Sequence, residues 1–303
     1  MLAVGVEPPI QAFPAGPARI WRMFRDDTCA SEATLDASPQ SNKMDDTAWA
    51  IARPPRPQAR LNHDPTVSPE FITVMQETLT SPTPHFLTSI GTFPGNMVAF
   101  YRDGVIHCPD GAAITLDEIA CRDRPYRSGA LTYRDMILHG RIEARIKAAR
   151  GNGLVTGFFL HRASPRQEID IEITGNDPQS MLVNVYFNPG DDGTTLDYGY
   201  RGSPYRVHLG FDATLDFHTY SIEWYPDHIL WFVDGTLIHE RWSWDPTPIP
   251  HLPMMLHANL WSPRSEDFAG RLDKSSIPST AVFRDIAVRR FKNLPSARKA
   301  RKL

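Results

Sequence analysis

The chain has 303 residues, 41% of them hydrophobic and 22% charged, with a formal net charge of −3 at pH 7. That length suits one large domain with a tail, or two average domains, and the apolar share fills a sizeable core. The balance lacks the basic excess of a nucleic-acid-binding domain. No apolar run approaches the ~18–20 residues that span a bilayer, so neither nucleic acid nor membrane is expected as a partner.

The first residues, MLAVGVEPPIQAFPAGPARIW, lack the basic start and apolar stretch of a secretory signal peptide. Residues 1–70 hold ten prolines and little periodicity, and are expected to form a partly disordered leader or linker. Trp21 and Trp49 are the positions there that could dock on a domain. The segment Glu70–Leu79 is expected to form a short helix. The last residues, 293–303, read as a solvated basic tail carrying Arg298, Lys299, Arg301 and Lys302.

From about residue 85, short apolar and β-branched runs alternate with turn signals. Asp103-Gly104 and Asp110-Gly111 read as hairpin turns. In GRIEARIK, Ile142, Ala144 and Ile146 alternate with Arg141, Glu143 and Arg145, which is strand periodicity. In TYSIEWYPDHILWFVDGTLIHER, Pro226-Asp227 and Asp234-Gly235 divide three strands of a meander. Many short strands without an internal repeat indicate an all-β sandwich or barrel over residues 71–292.

The three cysteines, Cys29, Cys108 and Cys121, make no disulfide framework and no CxxC motif. Simply buried thiols are expected, with a Cys108–Cys121 bridge as the alternative. His251 and His257 have no carboxylate company, which argues against zinc. His208 and His218 read as structural.

The chemistry concentrates in Glu168-Ile169-Asp170-Ile171-Glu172-Ile173. On a strand, side chains alternate faces, so the three isoleucines point into a core and the three carboxylates point out together. Like charges in line repel, and a purely structural face would usually mix signs. The two glutamates stand about 13 Å apart at Cα, and their side chains can lean together. They could reach the ~5–5.5 Å of a retaining glycosidase pair. Crowded carboxylates cannot all ionise freely, so one can hold a proton while another stays charged. Phe158, Phe159, Tyr186, Trp224, Trp231 and Trp261 are candidate sugar platforms, with core packing as the other reading for each.

Four ordered blocks resemble glycoside hydrolase family 16: RSGAL with HGRIEARIKAARGNGLVTGFFLH, then EIDIEITG, then FDATLDFHTYSIEWYPDHILWFVDG, then MMLHANLWSP. The family includes lichenases, laminarinases, xyloglucan transglycosylases and exopolysaccharide depolymerases. The resemblance covers residues 85–292. It implies a concanavalin A-like β-jelly-roll sandwich with a substrate cleft across a concave face. It implies Glu168 as nucleophile, Asp170 as assisting carboxylate and Glu172 as general acid/base of a retaining double displacement. It further implies substrate contacts from Arg127, Phe159, Asn184, Tyr186, Asn259 and Trp261. No cofactor is required. Asp285 falls where some members place a structural calcium.

The chain departs from the lichenase pattern at two positions. Arg166 stands where a tryptophan is usual, and His161 where a cleft tyrosine is usual. With Arg162 they make residues 161–166 basic. That stretch is either a solvent-facing loop or a reader of acidic exopolysaccharide, since arginine suits carboxylate recognition.

The expected function is endo-acting hydrolysis of a β-glucan-type or acidic polysaccharide. A transglycosylase on the same scaffold and a non-catalytic, lectin-like binder are the alternatives. The expected partner is a polysaccharide and the expected state a monomer. The substrate class implies a secreted or cell-envelope location.

Overall fold

The computed structural model describes residues 69–194, 202–244 and 247–294. The leader through residue 68, with Trp21, Trp49 and Cys29, lies outside them, as does the tail from residue 295. The strands are β1 (Phe71–Glu77), β2 (Phe86–Thr88), β3 (Val98–Phe100), β4 (Val105–Cys108), β5 (Gly111–Leu116) and β6 (Tyr126–Ser128). Then come β7 (Ala130–Tyr133), β8 (Gly140–Lys147), β9 (Val155–Ala163), β10 (Arg166–Thr174), β11 (Ser180–Phe187) and β12 (Tyr205–His208). The last are β13 (His218–Trp224), β14 (His228–Val233), β15 (Thr236–Trp242), β16 (Met255–Trp261) and β17 (Ser279–Phe291). Among the described residues, no helix is long and apolar enough to cross a membrane.

The strands build a jelly-roll β-sandwich. One sheet runs β12-β11-β10-β9-β16-β7-β2, and the other β15-β14-β13-β8-β17-β5-β4, with β1 also paired to β17. Both are antiparallel throughout. Period two explains the layers. In β8, Ile142, Ala144 and Ile146 are buried, and in β10 so are Ile169, Ile171 and Ile173. They meet in one apolar core with Tyr220, Ile222 and Trp231 of the second sheet and Phe158 and Leu256 of the first. Each such side chain contributes roughly 1.5–3 kcal/mol through burial.

Turns set the register. Val233 pairs with Thr236, and the two residues between them, Asp234 and Gly235, have φ of 48° and 77°. Both positive angles are what a two-residue type I′ hairpin needs. Cys108 pairs with Gly111, so the expected turn at Asp110-Gly111 closes the β4–β5 hairpin.

Three expectations are corrected. Asp103-Gly104 makes no hairpin. It lies in a 3-10 turn, Arg102–Gly104, between β3 and β4, which belong to different sheets. Its glycine serves close packing, because a Cβ there would come within 2.5 Å of the Ser128 carbonyl oxygen. Glu70–Leu79 forms no helix. Phe71–Glu77 is a strand paired to the end of β17, with the rings of Phe71 and Phe291 stacked 5.0 Å apart. Long-range pairing and β-branched Ile72, Thr73 and Val74 outweigh local helical preference. The expectation of simply buried thiols holds for Cys108 alone, a half-buried free thiol that makes no bridge to Cys121, whereas Cys121 is disulfide-bonded.

Candidate active site

β10 is an interior strand, hydrogen-bonded to β9 on one side and β11 on the other. Two further contacts hold it. The side-chain oxygen of Gln167 accepts from the backbone N–H groups of His251 (3.0 Å) and Leu252 (3.3 Å). From the other sheet, the indole of Trp231 donates to the Asp170 carbonyl at 3.1 Å. The strand therefore presents its outer face from a fixed backbone.

That face carries Glu168, Asp170 and Glu172, which are 9%, 3% and 9% exposed. Register places Glu168 between Tyr186 and His161, and Asp170 between Asn184 and Phe159. Glu172 lies opposite Gly157, which in turn faces Asn259. The expected substrate residues Phe159, His161, Asn184, Tyr186, Asn259 and Trp261 therefore share one face with the three carboxylates.

Each carboxylate has a different partner. Arg166 donates to Oε2 of Glu168 from Nε (3.1 Å) and Nη2 (2.7 Å), and its guanidinium lies 4.7 Å from the Tyr186 ring centroid. The Asp170 carboxyl is pushed well above the usual range by burial, with the charges of Glu168 and Glu172 adding to it. The Glu172 carboxyl is pushed up to about 8 by burial and the Glu168 charge, against a hydrogen bond from Trp261 and the Arg166 charge. One strand face thus combines a carboxylate held by a cation with two carboxyls that favour the protonated form. That is the division of labour a retaining glycosidase needs.

Several buried polar atoms here lack a hydrogen bond among the described residues: Asp170 Oδ1, Asn184 Nδ2 and Asn259 Oδ1. Unpaired buried polar atoms are costly and concentrate at functional sites. Gly157 has its own reason. A Cβ there would lie 2.6 Å from Asn259 Oδ1, so glycine lets Asn259 lean over the strand toward Glu172.

The profile described as glycosyl hydrolases family 16 matches residues 95–275. The chain belongs to glycosyl hydrolases family 16. A β-glucanase of Acetivibrio thermocellus is 36% identical over 165 residues, covering 53% of this chain and 45% of that protein. Xyloglucan endotransglucosylase/hydrolase 2 of Glycine max is 34% identical over 173 residues, covering 52% and 57%. The matches thus span about half the length of these relatives. Among solved structures, a native glycosidic hydrolase superposes with a TM-score of 0.64 at 27% identity, covering 73% of this chain and 97% of that one.

Within this family 16 domain, other expected site residues have different surroundings. Arg127 on β6 is in a bidentate ion pair with Asp117, at 2.9 Å and 3.1 Å, and lies over the Tyr101 ring. Among the described residues, its ion-pair partner is Asp117 and not a carboxylate of β10. Phe158, Trp224 and Trp231 are fully buried core residues, not sugar platforms. Arg162 is buried and donates to the carbonyls of Pro253 and Ser164 and to Asp192. The basic stretch His161–Arg166 is therefore largely consumed by internal bonds.

The surroundings of Asp285 do not fit a calcium ion. Its carboxylate lies 3.1 Å from Arg284 and 3.9 Å from Arg145, so its charged neighbours are guanidinium groups. Calcium needs six or more oxygen ligands. Among the described residues, no three His, Cys, Asp or Glu side chains cluster to hold any metal.

Three site residues escaped the sequence reading: Gly157, Gln167 and His257. His257 stacks on Phe159 at 5.1 Å, faces His161 edge-on at 5.9 Å, and hydrogen-bonds Thr132 at 2.9 Å. Burial holds both half-buried rings neutral, pushing His161 down to about 3 with the help of Arg166 and Arg162, and His257 to about 3 with the help of His161. Alternation along MLHANLW could have put His257 on the same face as Asn259.

Proposed function

We propose that this protein cleaves a neutral β-linked glucan internally, with retention of configuration. Glu168 is the nucleophile, Asp170 its assisting carboxylate and Glu172 the general acid/base. The observation that carries this is the contrast along one strand face: Glu168 bonded to Arg166, and Glu172 raised to about 8 beside Trp261.

In the first step a carboxylate oxygen of Glu168 bonds to the anomeric carbon. The glycosidic C–O bond breaks, its electron pair stays on the leaving oxygen, and Glu172 supplies the proton. In the second step Glu172 takes a proton from water. The water oxygen bonds to the anomeric carbon and the ester bond to Glu168 breaks. Asp170, with its raised affinity for a proton, hydrogen-bonds the nucleophile between steps. A sugar hydroxyl replacing water in the second step would give transglycosylation.

Neutral glucan is favoured over an acidic polymer because Arg162 and Arg166 are bonded within the protein. The β-glucanase likeness supports the same substrate class. Such polymers lie outside the cytoplasm, so a secreted or cell-envelope setting follows from this reading.

The test is incubation with mixed-linkage β-glucan, laminarin, xyloglucan and a succinylated acidic exopolysaccharide, with mass spectrometry of products. Short oligosaccharides from a neutral glucan, absent with Glu168→Gln, are expected. Hybrid products with an added acceptor would show a transglycosylase. Binding without products from any polymer would leave the lectin-like reading in its place.

A further inference from the structure

We infer that Arg166 is a positioning residue for this reaction: by holding Oε2 of Glu168 it aims Oε1 at the anomeric carbon. The inference rests on the hydrolase reading above and adds a residue to it.

The geometry is specific. Arg166 and Glu168 are two apart on one strand, so their side chains leave the same face. Both donors, Nε and Nη2, converge on a single oxygen, Oε2. Among the described residues, Oε1 accepts no hydrogen bond. A carboxylate gripped through one oxygen cannot rotate freely about its last torsion, and its other oxygen is left for attack.

The guanidinium is itself braced. It lies over the ring of Tyr186, the residue directly opposite Glu168 on β11. Arginine stacks on an aromatic face while still donating in its own plane, which lysine cannot do. The tryptophan usual here in lichenases could donate one hydrogen bond at most.

Other groups around Glu168 do not substitute for it. Asp170 and Glu172 on the same strand are acidic. His161 on β9 and His257 on β16 are held neutral by burial. Tyr186 on β11 offers a ring face. Among the described residues, Arg166 is thus the charged donor in contact with the nucleophile. Fixing a reacting atom in a near-attack position acts on kcat more than on substrate affinity.

The experiment compares wild type, Arg166→Ala and Arg166→Lys on mixed-linkage β-glucan and on an aryl β-glucan oligosaccharide, recording kcat, KM and Tm. Arg166→Ala is expected to lose about 100-fold in kcat with KM within about threefold. Arg166→Lys should fall between it and wild type. Millimolar guanidinium should restore part of the lost kcat of Arg166→Ala, which a purely structural role would not allow. Should Arg166→Ala not fold, the Arg166→Lys split between kcat and KM decides. Unchanged kcat, or a loss carried by KM alone, overturns the inference and leaves the hydrolase reading standing. A wild type inert on every polymer and on the aryl substrate overturns both.

Discussion

Trp231 crosses the sandwich to hold the carbonyl of Asp170, 3.1 Å from its indole nitrogen. The ring is fully buried, and its strand, β14, belongs to the opposite sheet. One side chain therefore ties the back of the molecule to the middle of the candidate catalytic strand. Trp231→Phe removes the donor and part of the core volume. Together these should cost about 2–4 kcal/mol, seen as a lower urea midpoint with little change in slope. A stability loss below about 0.5 kcal/mol would mean the bond contributes little.

Trp261 hydrogen-bonds the Glu172 carboxyl and lowers its affinity for a proton, while burial and Glu168 act the other way to leave it at about 8. A general acid works while protonated, so activity should decline as pH rises through about 8. Removing the indole donor in Trp261→Phe removes a lowering influence. The alkaline limb of the pH–activity profile should then move to higher pH. A limb that stays put or moves down would contradict the assigned contact.

The same raised value makes stability depend on pH. Unfolded, Glu172 would titrate near 4.5; folded, it titrates near 8. Between those values the unfolded chain gives up a proton that the folded chain keeps. Its stabilising contribution is complete below about pH 4.5 and is lost as pH rises through about 8. Asp170 acts with the same sign. Glu172→Gln cannot ionise, so its Tm should gain on wild type steadily from pH 4.5 to 8. Parallel Tm curves would show that Glu172 titrates alike in both states.

The carboxylate face was legible because period two is local, needing only the alternation of Glu168, Asp170 and Glu172 with three isoleucines. The meander was legible for a similar reason, since Asp234-Gly235 specifies its own turn. Partnerships across the ladder were not. Arg166 reads as a substrate-facing cation until Tyr186 on the next strand gives it a bracing surface and Glu168 takes both donors. Arg162 reads as part of the same basic stretch, yet it faces the opposite side of the sheet from its neighbour His161, and carbonyls claim it there. Asp285 carries an acidic signal whose meaning depends on Arg145, a residue on another strand. The first strand was misread because the helical preference of Glu70–Leu79 is outweighed by β-branched Ile72, Thr73 and Val74 together with pairing to the distant end of β17.

Gly157 and Asn259 offer a test of how closely the site is packed. A Cβ on Gly157 would lie 2.6 Å from Asn259 Oδ1, so Gly157→Ala must displace the Asn259 amide. Overpacking of this kind costs about 1–3 kcal/mol, and here it should also lower kcat, because Asn259 lies in register with Gly157 and, through it, Glu172. If the clash is the cause, the effects are not independent. Gly157→Ala added to Asn259→Ala should cost less stability than Gly157→Ala alone, with a coupling of roughly 0.5 kcal/mol or more in a double-mutant cycle. Strict additivity would mean that the alanine disturbs the β9 backbone itself, and the close approach of Asn259 would not be the reason for glycine at this position.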